Sequence, residues 1–292
     1  MNFTKMQGCG NDYVYINGFT EKIKDKVAFV KAVSDRHFGV GSDGAIFINP
    51  SDVADFEMEM YNADGSRSEM CGNGIRCVAK YVYDHGMTDK EVITVVSAGK
   101  IKTLALTVED GKVSMVKVNM GAPILEPEAI PVVCDGETCI NRPIEVDGVT
   151  YHMTCVSMGN PHSVVFLNAG EDAGKLQSDN VKEFDLDGIG AKFECHERFP
   201  RRVNAEFVEI LNDEHVNMRV YERGTGETLA CGTGSCAVTV ACILNGFTKR
   251  KITVSLPGGD LIVEWDEKSG DVFMTGPAET VFEGQFPWED SK

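Results

Sequence analysis

The chain has 292 residues, of which 42% are hydrophobic and 25% charged, so it can bury a sizeable core in one large domain or two ordinary ones. No run of about 18 apolar residues occurs, which argues against a membrane-spanning helix. The net charge of −17 argues against nonspecific binding to nucleic acid or an anionic membrane and leaves small ligands open.

In chain order, residues 1–7 lack the long apolar region of a signal peptide, which predicts a cytoplasmic protein. The ten cysteines then read as thiols rather than a disulfide framework, and none forms a CxxC pair, so a zinc ribbon is disfavoured. Residues 56–61 alternate and predict a strand. After the turn Cys71-Gly72-Asn73-Gly74, the spacing of Ile75, Val78, Ala79 and Val82 predicts a helix over 75–83. Strands are predicted at 91–96, 101–108 and 113–118, with a hairpin turn at 109–112. Pro123, Pro127, Pro131 and Pro143 mark a boundary without helical period. After Cys231-Gly232-Thr233-Gly234, residues 235–244 are almost wholly apolar and predict a buried helix, ended by Asn245-Gly246. Strands follow at 252–255, 261–265 and 272–275, with a turn at 269–271.

The two cysteine turns lie 160 residues apart, and the similarity extends beyond them. Tyr61-Asn62-Ala63-Asp64-Gly65 stands as far before Cys71 as Tyr221-Glu222-Arg223-Gly224-Thr225 stands before Cys231. Residues 97–100 fall opposite 257–260. Upstream, Gly10-Asn11-Asp12-Tyr13 is matched by Gly159-Asn160-Pro161-His162 at an offset of 149, which predicts an insertion within 168–202. Markers in one order indicate a duplicated domain. The expected fold is α+β: two similar domains, each a curled, mostly antiparallel sheet around a central helix. The expected division is an N-terminal domain over 1–122, to which the C-terminal strand can return, a linker over 123–150, and a C-terminal domain over 151–292.

A cysteine at a helix start sits beside unpaired N–H groups and the positive end of the dipole, which favour a thiolate. The same turn can bind a carboxylate through Gly72 and Asn73, or through Gly232 and Thr233. Two such turns facing each other suit one reaction: one thiolate removes an α-hydrogen beside a carboxylate, and the opposed thiol returns a proton on the other face. The stereocentre inverts with no redox change and no cofactor. The residues alone leave other readings open. The pair could form a redox disulfide or hold a metal, and either cysteine alone could be structural.

Residues 62–66, 70–74, 159–162, 221–224 and 230–234 together resemble the diaminopimelate epimerase family, and the resemblance spans nearly the whole chain. A Cys-Gly-X-Gly turn alone is shared with proline racemase-like enzymes. The family resemblance implies a two-domain homodimer that interconverts LL- and meso-diaminopimelate without a cofactor. It implies Cys71 and Cys231 as the acid–base pair, and His162 and Glu222 as the groups that tune them. It implies substrate contacts from Asn11, Asn62, Gly72, Asn73, Asn160, Asn204, Glu222, Arg223, Gly232 and Thr233. A substrate with an amino acid at each end needs a second recognition set, which a bidentate Arg223 and paired asparagines suit. Asn62, before Ala-Asp-Gly, also suits a turn role. One departure stands out: where some family members carry a glutamine that contacts substrate, this chain has Gly44.

Overall fold

The computed structural model describes residues 1–67 and 71–289, so Met70, beside the first cysteine turn, lies outside the described residues. Strands β1 (Asn2–Gly8) and β2 (Asn11–Asn17) lead to helix α1 (Lys26–Ser34), strands β3 (Gly44–Asn49) and β4 (Phe56–Asn62) and helix α2 (Gly72–Asp84). Strands β5 (Val92–Ser97), β6 (Lys100–Glu109) and β7 (Lys112–Gly121) follow. The chain continues through β8 (Arg142–Val146), β9 (Val149–Ser157), β10 (Pro161–Phe166), a 3-10 turn at Gly170–Asp172 and α3 (Leu186–Glu194). Next come β11 (Asn204–Asn212), β12 (His215–Glu222), β13 (Gly226–Thr228) and α4 (Gly232–Leu244). The last strands are β14 (Lys251–Leu256), β15 (Gly259–Trp265), β16 (Val272–Pro277) and β17 (Glu279–Gln285). Among the described residues no helix is long and apolar enough to cross a membrane.

Two compact units result. The first holds Met1–Val118 and the chain from Thr275 onward, and the second holds Asn119–Met274. In the first unit the strands run in the order β17-β1-β2-β3-β4-β5-β6-β7; β2/β3 and β4/β5 are parallel and the other pairs antiparallel. Helix α2 lies against β1, β2 and β6. In the second unit the order is β8-β9-β10-β11-β12-β14-β15, with β10/β11 and β12/β14 parallel and the rest antiparallel. Helix α4 lies against β9, β10, β11, β14 and β15. The alternation of parallel and antiparallel pairs is therefore the same in both units, as a duplicated domain requires.

Local chemistry explains the elements. The hairpin between β6 and β7 turns at Asp110 (φ 50°) and Gly111 (φ 76°), the two left-handed residues of a tight hairpin turn. Helix α2 is buried along nearly its whole length, and α4 is apolar all round, so packing rather than propensity holds both. Residues 18–43 connect β2 to β3 through α1, whereas residues 167–203 connect β10 to β11 through the 3-10 turn and α3. The longer connection lies where the repeat offset changes from 149 to 160. Residues 123–150 supply Ile130, Val132, Cys139, Ile144 and Val146 to the core of the second unit, because these apolar side chains find cover against Tyr151, Met153 and Phe207.

Candidate active site

In the first unit, Cys71 is the N-cap of α2, in extended backbone conformation, and its Sγ accepts the Gly74 N–H at 3.2 Å. The thiol donates to Asn11 Oδ1 at 3.1 Å. Asn11 is turned that way because its amide Nδ2 donates to Asp43 Oδ2 at 2.7 Å. Asp43 is held in turn by Arg36, which also pairs with Asp12. Cys71, Asn11, Gly72 and Asn73 thus come together at the start of one helix. Cys71 is half-buried, and Asn73 is buried in the first turn. Asn62 does not join them through its side chain: its Nδ2 donates to Ser66 Oγ at 3.0 Å, within the turn that follows β4.

In the second unit, Cys231 is the N-cap of α4 and is buried. Its Sγ lies 3.6 Å from Thr233 Oγ1. Asn160 Nδ2 donates to that hydroxyl at 3.3 Å, and Asn160 Oδ1 lies 3.0 Å from His162 Nε2. His162 Nδ1 lies 2.6 Å from Glu206 Oε1, with both side chains wholly buried. Burial pushes the Cys231 thiol well up, and the carboxylates of Glu222 and Glu206 push the same way; the Thr233 hydroxyl and the Gly234 N–H pull it down. Burial also raises the Glu206 carboxyl, with His162 pulling it back and Glu222 adding to the rise. Cys231, Gly232, Thr233, Asn160 and His162 are therefore brought together. Glu222 acts on the thiol through its charge and is held by the Thr228 hydroxyl.

Asn204 and Arg223 meet through the backbone. Asn204 Oδ1 accepts the Arg223 N–H at 2.9 Å, and its Nδ2 donates to Pro161 O at 2.9 Å. The Arg223 side chain is exposed and donates to Arg201 O at 3.2 Å. Gly44 has no space for a side chain, since a Cβ there would lie 2.0 Å from Tyr61 O. Two groups escaped the sequence reading. Asp43, which orients Asn11, sat in a turn read only for its neighbouring glycine. Glu206 sat in a strand, where an acid reads as a solvent-facing residue. The repeat carries the signal for Glu206: at the offset of 160 its counterpart is Ile46, a core residue.

The geometry can do acid–base chemistry at two helix N-termini, each bearing a thiol whose surroundings are set by an asparagine. The family model described as diaminopimelate epimerase matches residues 3–126 and 154–281. The chain is 56% identical to the diaminopimelate epimerase of Acetivibrio thermocellus, with 98% of each chain covered. It is 54% identical to that of Methanococcus maripaludis strain C5, covering 98% of this chain and 99% of that one. Among solved structures, a hydroxyproline epimerase from Agrobacterium vitis superposes with a TM-score of 0.65 at 14% identity, over 98% of this chain and 90% of that one. A methylitaconate-delta-isomerase gives 0.66 at 14% identity, over 97% and 94%. These two likenesses concern the fold. The family model and the near-full-length relatives show that the chain belongs to the diaminopimelate epimerase family.

Proposed function

We propose that this protein epimerises LL-2,6-diaminopimelate to the meso isomer by proton transfer at the α-carbon, with Cys71 and Cys231 as the two acid–base groups. The observation that carries the reading is that each duplicated unit presents a cysteine as the N-cap of a buried helix, within the residues that the family model matches. One thiolate takes the α-proton: the C–H bond breaks, an S–H bond forms, and the electron pair passes into the carboxylate. The other thiol then gives its proton to the opposite face, and the C–H bond reforms with inverted configuration. The N–H groups at the starts of α2 and α4, with the helix dipoles, supply the electrostatic support that this carbanion needs. Gly72, Asn73, Gly232 and Thr233 bind the reacting carboxylate. Asn11, Asn62, Asn160, Asn204, Glu222 and Arg223 bind the rest of the substrate, with Arg223 on the distal carboxylate and Glu222 balancing an ammonium. His162 and Glu222 tune the thiols. The reaction needs no pyridoxal and no metal, and the protein works in the cytoplasm as a homodimer.

Incubating the enzyme with LL-diaminopimelate in deuterium oxide is expected to place solvent deuterium on the α-carbon as the meso isomer accumulates. Cys71→Ala and Cys231→Ala are each expected to abolish turnover in both directions. Full epimerisation by Cys71→Ala would sink the two-thiol mechanism, and turnover of proline in place of diaminopimelate would sink the substrate assignment. Light scattering checks the dimer.

A further inference from the structure

The two units place different residues beneath corresponding helix starts. Tyr13 pairs with Gly44 and His162 pairs with Asn204 at equivalent points of the parallel strand pairs, so Ile46 and Glu206 occupy the same position two residues on. Each approaches the last glycine of its cysteine turn. A Cβ on Gly74 would lie 2.8 Å from Ile46 Cδ1, and one on Gly234 would lie 2.8 Å from Glu206 Oε1. One unit thus fills the space with a hydrocarbon and the other with a wholly buried carboxylate. A buried carboxylate is costly unless it is paired. Glu206 Oε2 has no hydrogen-bond partner among the described residues, and Oε1 faces His162 Nδ1.

We propose that Glu206 is a positioning residue: through His162 it keeps a hydrogen on Nε2, and so fixes a chain of donors that ends on Cys231 Sγ. Its links are Glu206 Oε1 to His162 Nδ1 at 2.6 Å, His162 Nε2 to Asn160 Oδ1 at 3.0 Å, Asn160 Nδ2 to Thr233 Oγ1 at 3.3 Å, and Thr233 Oγ1 to Cys231 Sγ at 3.6 Å. One proton lies between Oε1 and Nδ1. A bare Nε2 would leave this wholly buried pair with a net negative charge, so the pair is neutral only when Nε2 carries a second hydrogen, whether the first sits on the ring or on the carboxyl. That hydrogen satisfies Asn160 Oδ1 and turns the amide nitrogen toward Thr233. The threonine oxygen, accepting from the amide, has its own hydrogen left for the sulfur. Each link donates toward Cys231 and favours the thiolate, against burial and the charge of Glu222 that favour the thiol. If Nε2 were bare, Asn160 would reverse, the threonine would donate away from the sulfur, and Cys231 would be held as a thiol. At the other helix the polarity differs: Asp43 turns Asn11 so that its oxygen faces Cys71, which accepts a thiol hydrogen.

This inference rests on Cys231 being an acid–base group, but its tests read the chain without turnover, whereas that role is read by isotope exchange. With histidine labelled in the ring nitrogens, the resonances of His162, assigned by their loss in His162→Asn, are expected to show hydrogen on Nε2. A bare Nε2 in the parent enzyme overturns the proposal, and this measurement needs no Glu206 variant to fold. Alkylation by iodoacetamide, mapped to the Cys231 peptide across pH, gives the second arm. Glu206→Leu and Glu206→Gln both remove the carboxylate charge, so the difference between them reads the partner of Nδ1 alone. Glu206→Gln can serve Nδ1 with its amide hydrogen and Glu206→Leu cannot, so the midpoint of Glu206→Leu is expected to lie about one pH unit above that of Glu206→Gln, with kcat about 10-fold lower. Equal midpoints in the two variants overturn the proposal.

Discussion

At the scale of single residues, Gly44 decides what the turn before β3 can carry. A Cβ would lie 2.0 Å from Tyr61 O and 3.0 Å from Asn62 Cα, both backbone atoms of the neighbouring strand. A glutamine cannot be added here without parting β3 from β4. Gly44→Gln is therefore expected to destabilise the protein by about 3 kcal/mol, read from the urea unfolding midpoint. A variant as stable as the parent would show that the turn has another backbone conformation. The cysteines, the glycines and Asn160 were legible in the sequence because short polar motifs repeat there. Glu206 was not, because alternation assigns a strand acid to water, and only the α4 helix lying over β11 makes that face dry.

At the scale of elements, the spacing of apolar residues predicts helices from 75 and 235, whereas α2 and α4 begin at Gly72 and Gly232. Periodicity detects only the residues that pack, and the first turn of each helix is glycine and polar residues kept there for their N–H groups. The helix interiors then differ. Arg76 is wholly buried within α2, where α4 has Cys236 at the same repeat position. Its guanidinium donates to Pro277 O at 3.1 Å and Gly72 O at 3.2 Å, so it ties the helix to the returning C-terminal segment of the same unit. Arg76→Met keeps the bulk and removes the donors to both carbonyls. A loss of about 3 kcal/mol is expected by urea unfolding, with Arg76→Lys recovering only part because a point charge cannot span two carbonyls. Recovery of full stability with lysine would mean that charge alone matters.

At the scale of the whole molecule, the duplication was legible from the offsets, and the change from 149 to 160 falls on the longer connection in the second unit. The strand order was not legible, because the parallel pairs join strands far apart in sequence and no local pattern records them. The two units also carry partly or wholly buried carboxyls shifted in opposite directions. In the first, burial pushes Asp12 and Glu59 up. Arg36 and Lys5 on Asp12, and Lys26, Tyr61 and Asn49 on Glu59, outweigh that and leave both below the ordinary carboxylate range. Lys90 and the Thr94 N–H lower Asp55 in the same unit. A carboxyl depressed in the folded state gives stability that is present above its unfolded value and lost as pH falls through the folded one. In the second unit Glu206 is raised by burial, so its contribution has the opposite sign: the cost of keeping it charged disappears as pH falls. Asp266 is depressed there as well, by the Ser269 N–H, but in an exposed turn where solvent weakens the effect. Acid should therefore loosen the first unit before the second. Hydrogen exchange followed by mass spectrometry at pH about 7 and about 3.5 is expected to show β1–β4 losing protection while β10–β12 keep theirs. Equal loss in both units would mean that the ion pairs of Asp12 and Glu59 contribute little to folding and that acid acts through net charge alone.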